Sequence, residues 1–374
     1  MSVIRPIAEH DLGALIRMAK ESGVGFTSLP DNPELISRKL ERAIASFNGD
    51  LPADQLHFMF VIQEAADGPP VGVCGIEARI GQDDVFYNYR LGAVIQASKA
   101  LGVYSRTPTL FLSNDLTGAT EIGSLFLRAP ARRNRNGSLL SKCRLLFLAA
   151  FPGLFSQRVI AEMRGYSDEQ GQSPFWDGLG RPFFNIEFSD ADFLTGSGDK
   201  VFIAELMPKF PIYVPMLPVS AQQAIGVVHP GTEPALAMLQ CEGFRRNGYV
   251  DIFDAGPTIE CELDRINGIQ RSMVVTADIV EGADGVAGAD GVDGADRVKR
   301  TGAGDSPGAA PRWLFSNERF SDFRAIGCAD AQCDGTRIIL SREQADMLRV
   351  ENGDTVRIMA LNPEDATNDP STSD

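Results

Sequence analysis

One histidine stands where the sequence predicts a change from extended chain to helix. The apolar run 225–228 ends at His229, and residues 230–232, Pro-Gly-Thr, lead into a short helical pattern. The chain holds only three histidines, and imidazole is the side chain that titrates closest to neutral pH. Two interpretations are open from these residues: a group that moves a proton in a reaction, or a structural histidine at a turn.

A basic stretch over 124–144 is the second candidate for chemistry. It lies between a predicted strand, 120–127, and a predicted helix, 138–151, where backbone N–H groups and the helix dipole favour an anion. Gly137 would let a ligand approach the backbone closely. The stretch therefore suits a polyanion such as a pyrophosphate, and the alternative is a basic turn that faces water. It contains no acid, and its cationic residues are Arg128, Arg132, Arg133, Arg135, Lys142 and Arg144.

Several other classes of site are disfavoured. The chain has no GxxxxGK[ST] phosphate loop, and no GxGxxG opens an early βαβ unit. A formal net charge of −15 over 374 residues argues against nucleic acid or an anionic membrane as partner. Six scattered cysteines form no zinc pattern, so we expect no metal and reduced thiols in a cytoplasmic protein. The longest apolar stretch, 145–155, is too short to span a bilayer.

The elements that must position these residues follow from hydrophobic periodicity. Helices are predicted first, then a run of strands, and then a strand, a basic turn and a helix. This order indicates an α+β fold, with a mixed, mostly antiparallel sheet flanked by helices. The predicted helices are 11–23, 34–47 and 138–151, and the predicted strands are 3–7, 57–65, 70–80, 85–92, 107–115, 120–127, 182–188 and 212–217. A strand–helix–strand module with Ser341 as N-cap follows over 336–361.

A Gly/Ala/Asp tract over 281–310 has a different composition from the rest of the chain. It is poor in large apolar residues and contains a near-repeat of GADGV. Such a segment buries too little apolar surface to offset its ordering entropy, so we interpret it as a flexible insert.

We expect deletion of residues 283–308 to leave activity and folding nearly unchanged, because the tract adds little to a hydrophobic core. Thermal unfolding and turnover of the deleted protein test this. A large fall in melting temperature, or loss of turnover, would show that the tract is structured and needed.

The basic turn is similar to a known phosphate loop. Residues 132–137, RRNRNG, resemble the R-x-x-G-x-G/A loop of the GNAT acyltransferases, with Arg135 in place of the first glycine. Longer blocks resemble the arginine N-succinyltransferase family over nearly all of 1–275 and again from about 312. These blocks include FYNYRLG, MRGYSDEQGQSPFWDGLGRPFF, FIAELMPKFPIYVPMLP, IGVVHPGTEPALAMLQCEGF and YVDIFDAGPTIE.

This resemblance implies a GNAT-like α+β scaffold with two related halves and a small C-terminal β module. On that basis we expect an acyl-CoA-binding domain at 1–215 and a second half with the catalytic histidine at 216–280. The flexible insert would take 281–311, the β-rich module 312–362 and a disordered acidic tail 363–374.

The resemblance also implies a reaction, in which succinyl-CoA and L-arginine give N2-succinyl-L-arginine and CoA in arginine catabolism. The proton-donor histidine of the family falls on His229, and its succinyl-CoA contact falls on Leu125. Because Leu125 has no polar side chain, we expect its main chain to make that contact. Arg132, Arg133 and Gly137 are the expected pyrophosphate contacts. The implied cosubstrate is succinyl-CoA, with no resident cofactor.

Several alternatives stay open. The acceptor could be ornithine, and the chain could be a non-catalytic or regulatory subunit. Family members act as oligomers, so a second copy or a paralogous subunit is an expected partner. The guanidinium of the substrate needs carboxylates or aromatic faces. Three blocks supply them without a choice between them: FYNYR, SDEQGQSPFW and DIFD.

Overall fold

The computed structural model describes residues 1–23, 28–65, 67–82, 85–168, 171–188, 190, 191, 194, 201–280 and 310–362. Nearly all of the predicted flexible insert and the whole predicted tail lie outside these residues. Within them, no helix is long and apolar enough to cross a membrane.

The regular elements are as follows. The α-helices are α1 (Leu12–Ser22), α2 (Pro33–Asn48), α3 (Asn136–Ala150), α4 (Arg181–Phe184), α5 (Val201–Leu206), α6 (Val219–Ala224), α7 (Glu233–Cys241), α8 (Asn267–Arg271) and α9 (Arg342–Leu348). The strands are β1 (Val3–Pro6), β2 (His57–Gln63), β3 (Gly72–Glu77), β4 (Asn88–Ser98), β5 (Val103–Ser113), β6 (Thr120–Leu127), β7 (Arg158–Glu162), β8 (Ile212–Tyr213), β9 (Arg245–Val250), β10 (Pro257–Glu262), β11 (Met273–Val280), β12 (Trp313–Asn317), β13 (Ala325–Cys328), β14 (Gln332–Cys333), β15 (Arg337–Ser341) and β16 (Thr355–Ala360).

These strands join one sheet in the order β14-β15-β11-β16-β12-β13-β1-β2-β3-β6-β7-β10-β9-β4-β5-β8. Among the described pairs, β6–β7 and β11–β15 are parallel and the others are antiparallel. Parallel neighbours need a crossover, and α3 supplies it between β6 and β7. The predicted α+β class with a mixed, mostly antiparallel sheet is confirmed.

Helix α3 lies in the centre of the molecule. The sequence predicts one apolar stripe, but the helix is buried on nearly all sides. Two charged residues are buried with it: the Lys142 ammonium pairs with Glu242, and the Arg144 guanidinium donates to the Gly123 and Ser141 carbonyls. These two residues of the basic stretch therefore satisfy internal acceptors, because an unpaired charge would be costly at such depth.

The parallel strands β6 and β7 are paired at the start of β6 and separate beyond Glu121. Its recorded pairing covers only Thr120 with Val159 and Glu121 with Ile160. Beyond Glu121 the strand β6 continues to Leu127, and Ser124 has a left-handed backbone with φ of 52°. The pairing of β6 with β3 changes register in the same region, as at a β-bulge. The bend opens a cleft between the ends of the two parallel strands.

The structure corrects three local predictions. The segment 182–188 is not a strand, because α4 begins it and Asn185 ends that helix in a left-handed conformation. In 212–217 only Ile212–Tyr213 is a strand, and a 3-10 turn follows. The run 225–228 forms no strand beyond a single bridge between Val228 and Gly165.

Strands from the different predicted domains share the sheet. β9 and β10 pair with β4 and β7, while β11 pairs with β15 and β16 of the C-terminal part. The domain boundaries and the relation between the two halves stay predictions.

Candidate active site

A cavity of about 730 Å³ occupies the cleft between β6 and β7. All five residues that the sequence analysis assigned to the site line this cavity: Leu125, Arg132, Arg133, Gly137 and His229. They come from β6, from the basic turn with the start of α3, and from the turn before α7. The fold therefore brings the predicted residues together, although their roles stay predictions. Among the described residues, no group of three or more His, Cys, Asp or Glu side chains is placed to hold a metal ion.

His229 is held by its main chain and by one ring nitrogen. Its N–H donates to the Arg164 carbonyl at 2.9 Å, and its Nδ1 accepts the Gly231 N–H at 3.0 Å. A neutral imidazole that accepts at Nδ1 carries its proton on Nε2. Burial, and then the positive charge of Arg164, lowers the pKa of His229. The ring is therefore a neutral Nε2–H donor in the resting protein.

The basic turn and the N-terminus of α3 border the cavity. Asn134 and Arg135 both have left-handed backbones, with φ of 51° and 55°, and α3 begins directly after them without a side-chain cap. The first N–H groups of a helix have no partner within it, so they can bind an anion. Arg135 occupies the glycine position of the resembled loop, at a cost of roughly 1–2 kcal/mol for an L residue. Its guanidinium donates to the Pro311 carbonyl at 3.1 Å, which helps to hold this conformation.

Acids from distant parts of the chain pair with two arginines of the basic stretch. Arg128 pairs with Glu21 at 2.8 Å, and Arg133 pairs with Glu64 at 2.9 Å. These two guanidinium groups are therefore already paired, although the basic stretch itself contains no acid. Arg132 instead donates from Nε to the Leu127 carbonyl at 3.0 Å and forms no ion pair with a described residue. Its terminal nitrogens make Arg132 the better anchor for a phosphate.

Leu125 lies on the part of β6 that has separated from β7. The β6–β7 pairing ends at Glu121, so the edge of residues 122–127 on that side borders the cavity. An unpaired strand edge can hydrogen-bond an extended ligand along its main chain. This geometry is compatible with the main-chain contact expected for Leu125.

A wall of carboxylates is the part of the site that the sequence analysis mostly missed. Glu121, Glu162, Asp251 and Asp254 all line the cavity. The sequence analysis named DIFD, 251–254, as one of three candidates, but it did not single out Glu121 or Glu162. The only sequence signal for Glu162 is that an acid ends the apolar strand RVIAE.

Backbone N–H groups hold the two aspartates in place. Asp254 accepts from Gly165 at 2.7 Å and from Gly256 at 2.8 Å. Asp251 accepts from Phe253 and from the Asp254 N–H. Burial raises the pKa of both carboxyls, and the neighbouring Asp251 charge raises that of Asp254 further.

Glu162 ends β7 and accepts a hydrogen bond from the Asn88 amide at 2.6 Å. Burial raises its pKa well above the ordinary value, and repulsion from Asp251 and Glu121 adds to the effect. A site that crowds like charges in this way is stabilised by a cation.

The other two candidate blocks contribute differently. In SPFW, Phe175 and Trp176 are fully buried core residues, as is Tyr89 of FYNYR. These three aromatic side chains therefore belong to the hydrophobic core and do not line the cavity. The contribution of FYNYR to the cavity is the Asn88 amide, which donates a hydrogen bond to Glu162.

The fold and this cavity define the class of the protein. A parallel pair that splays around a cleft, joined by a helix whose N-terminus carries a basic turn, is the architecture of a GNAT-type acyltransferase. The chain is an enzyme of that class.

Comparison with known proteins specifies the family. The family model "Arginine N-succinyltransferase beta subunit" matches residues 2–268, and the model of its C-terminal domain matches 297–360. The chain belongs to the arginine N-succinyltransferase family. Proteins named arginine N-succinyltransferase from Enterobacter sp. (strain 638) and Escherichia coli (strain 55989 / EAEC) are each 45% identical to it, over 98% of this chain and 100% of theirs.

A solved structure agrees with this assignment. Arginine/ornithine succinyltransferase subunit AI from Pseudomonas aeruginosa superposes with a TM-score of 0.83 at 33% identity. The match covers 97% of this chain and 99% of that one.

Proposed function

We propose that this chain transfers the succinyl group of succinyl-CoA to the α-amine of L-arginine, with N2-succinyl-L-arginine and CoA as products. One observation carries the proposal. A single cavity is lined by the N-terminus of α3 with its arginines, by a wall of carboxyl side chains and by a histidine whose Nδ1 accepts a hydrogen bond. These match the pyrophosphate of the donor, the cationic acceptor and the reacting thioester.

The donor would lie along β6. Its pyrophosphate binds the N-terminus of α3 with Arg132, and Gly137 leaves room for a close approach of the backbone. Its pantetheine amides then continue the strand at the free edge near Leu125. This places the thioester in the cleft that His229 also lines.

The acceptor would bind the carboxylate wall. A guanidinium offers five N–H donors, which suits several acidic side chains at once. Glu162 and Asp251 with Asp254 provide those acceptors in a partly buried place, where water competes little.

The chemistry requires no covalent enzyme intermediate. The neutral α-amine attacks the thioester carbon, the N–C bond forms, and the C–S bond breaks. The amine releases its proton to a cavity carboxylate or to water. The Nε2–H of His229 donates a hydrogen bond to the negative charge that develops on the oxyanion and then on the sulfur. The bond from Gly231 to Nδ1 favours this donor role over a role as proton acceptor.

The direct test measures free thiol released from succinyl-CoA, with arginine, with ornithine and with neither. Ornithine is included because the Pseudomonas relative is named for both amino acids. We expect arginine-dependent release of CoA. Thiol release that does not depend on an amino acid, or a clear preference for ornithine, would contradict the proposed acceptor.

Replacing Arg132 with alanine should raise the KM for succinyl-CoA more than the KM for arginine. Loss of one charge-assisted phosphate contact costs about 1.5–3 kcal/mol, or roughly 10- to 150-fold. Arg133→Ala should have a smaller effect, because Glu64 already pairs with that guanidinium.

Arg128→Ala is the matched control, because Arg128 lies in the same basic stretch, pairs with Glu21 and does not line the cavity. The defect of the Arg132 variant should shrink with a truncated thioester that lacks the nucleotide. An equal loss with both donors would place Arg132 away from the pyrophosphate.

Two further properties belong to the proposal. The six cysteines form no paired pattern in the sequence, so we propose a reducing compartment such as the cytoplasm. We also propose that the enzyme works as an oligomer, since the Pseudomonas relative is named as a subunit.

A further inference from the structure

The hairpin formed by β4 and β5 projects from the body of the protein. Each strand has 11 residues, and every position of the two strands is paired. At its base Tyr89 and Leu110 are buried, whereas Ile95, Val103 and Tyr104 farther out are 60%, 52% and 70% exposed. We call residues 90–111 the arm. A two-stranded hairpin alone is at best marginally stable in water, so a surface that covers the arm would stabilise it.

One face of the arm is apolar. Residues opposite each other in a ladder share a face, and side chains alternate along each strand. The face that is buried at Leu110 continues outward through three cross-strand pairs: Leu91 with Leu110, Ala93 with Pro108, and Ala97 with Tyr104. Ile95 lies on the same face, opposite Arg106. The other face carries Gly, Ser, Thr and Gln at six of its ten positions, and Arg90, Val94, Val103 and Phe111 at the others. The face that packs in the core at Leu110 is therefore exposed to solvent farther out along the arm.

The arm is also cationic in an acidic protein. Residues 88–113 contain Arg90, Lys99 and Arg106 and no Asp or Glu, within a chain of formal net charge −15. Arg90 faces Asp115 at 3.5 Å, while Lys99 and Arg106 have no ion pair among the described residues. The formal charge of the rest of the chain is opposite in sign to that of the arm.

We propose that the arm docks on the body of a second copy of this chain, and that the second copy's arm docks reciprocally. In a two-fold pair each arm contacts the other chain in the same way, so the cationic, apolar arm meets a chain of opposite net charge twice in a closed dimer. Further exposed apolar side chains flank the base of the arm and can extend the contact, namely Phe210, Met216 and Val219. The arm would thus be the contact surface of the oligomer proposed above, and its role rests on that proposal.

The experiment measures self-association by sedimentation velocity and light scattering over a wide range of protein concentration. The wild-type protein should associate. Ile95→Glu should weaken association by about tenfold or more, because it places a charge in the centre of the apolar face. Gln96→Glu is the matched control, since it adds the same charge at the next position on the opposite face, and it should leave association unchanged. Lys99→Glu should weaken association, and added salt should weaken that of the wild type.

Two results would overturn the proposal: a monomeric wild-type protein, or an Ile95→Glu variant that dissociates no more than Gln96→Glu. A monomer whose arm binds anionic vesicles would show a membrane contact in its place. Melting temperature confirms that each variant is folded. Arginine-dependent CoA release is measured separately, so failure of the proposed reaction and failure of the arm contact are distinguishable.

Discussion

Replacing His229 with alanine is expected to lower kcat by roughly 10²- to 10⁴-fold, the usual range for a positioned proton-transfer or oxyanion-binding group. The ring is half-buried in the cavity wall, and its Nδ1 is already bonded to Gly231. Only Nε2 remains to contact the reacting atoms. Melting temperature and the affinity for succinyl-CoA should change little, because the lost interaction forms mainly in the transition state.

A second substitution separates two roles of this ring. Glutamine keeps an N–H donor but cannot transfer a proton at neutral pH. If Nε2–H acts as a hydrogen-bond donor, His229→Gln should retain about tenfold more kcat than His229→Ala. Equal inactivity of the two variants would show that the ring must move a proton.

The control is His10→Ala, which removes a solvent-exposed histidine outside the cavity. Near-normal kcat in His229→Ala, or a loss of activity explained by unfolding, would make His229 a structural residue of the turn.

Replacing Glu162 with glutamine is expected to raise the KM for arginine by roughly 10- to 150-fold, the loss of one charge-assisted contact, with little change in the KM for succinyl-CoA. Glutamine keeps the carbonyl that accepts the Asn88 amide, so the local packing should survive. Glu260→Gln is the matched control, because Glu260 lies on the neighbouring strand β10 and pairs with Arg158 outside the cavity.

The same variant has a predicted effect on stability. The pKa of Glu162 is raised in the folded protein, so the folded state binds this proton more tightly than the unfolded state. The wild-type residue therefore destabilises the fold as pH rises above the ordinary carboxyl pKa. Glu162→Gln should melt at an equal or higher temperature near neutral pH, and the difference should vanish in acid. A variant that is less stable at neutral pH would contradict this account.

Arginine binding should also be linked to protons. A bound guanidinium favours ionised carboxylates, so binding should release protons that the crowded acids hold in the empty site. The affinity for arginine should rise with pH, and calorimetry in buffers of different ionisation enthalpy should detect the release. Glu162→Gln should weaken both effects. A pH-independent affinity would place the guanidinium away from these carboxylates.

The sequence by itself determined the local elements that carry the chemistry. The predicted strand 120–127 is β6, and the predicted helices 11–23, 34–47 and 138–151 agree with α1, α2 and α3 within two residues at each end. Periodicity and turn residues specify such elements because their hydrogen bonds connect near neighbours. The rarity of histidine and the concentration of arginine in one turn were also visible in sequence.

The tertiary structure decided what those residues contact. Helical packing overrode the aromatic strand pattern of 182–188, where the rings of Phe184 and Trp176 stack with centroids 5.3 Å apart. Glu64 partners Arg133, although the basic stretch itself contains no acid. Glu162 and Asp254 meet in one cavity only because β7 and β10 are neighbours in the sheet. Ion pairs and pKa shifts depend on distance and burial between groups far apart in the chain, which local patterns do not encode.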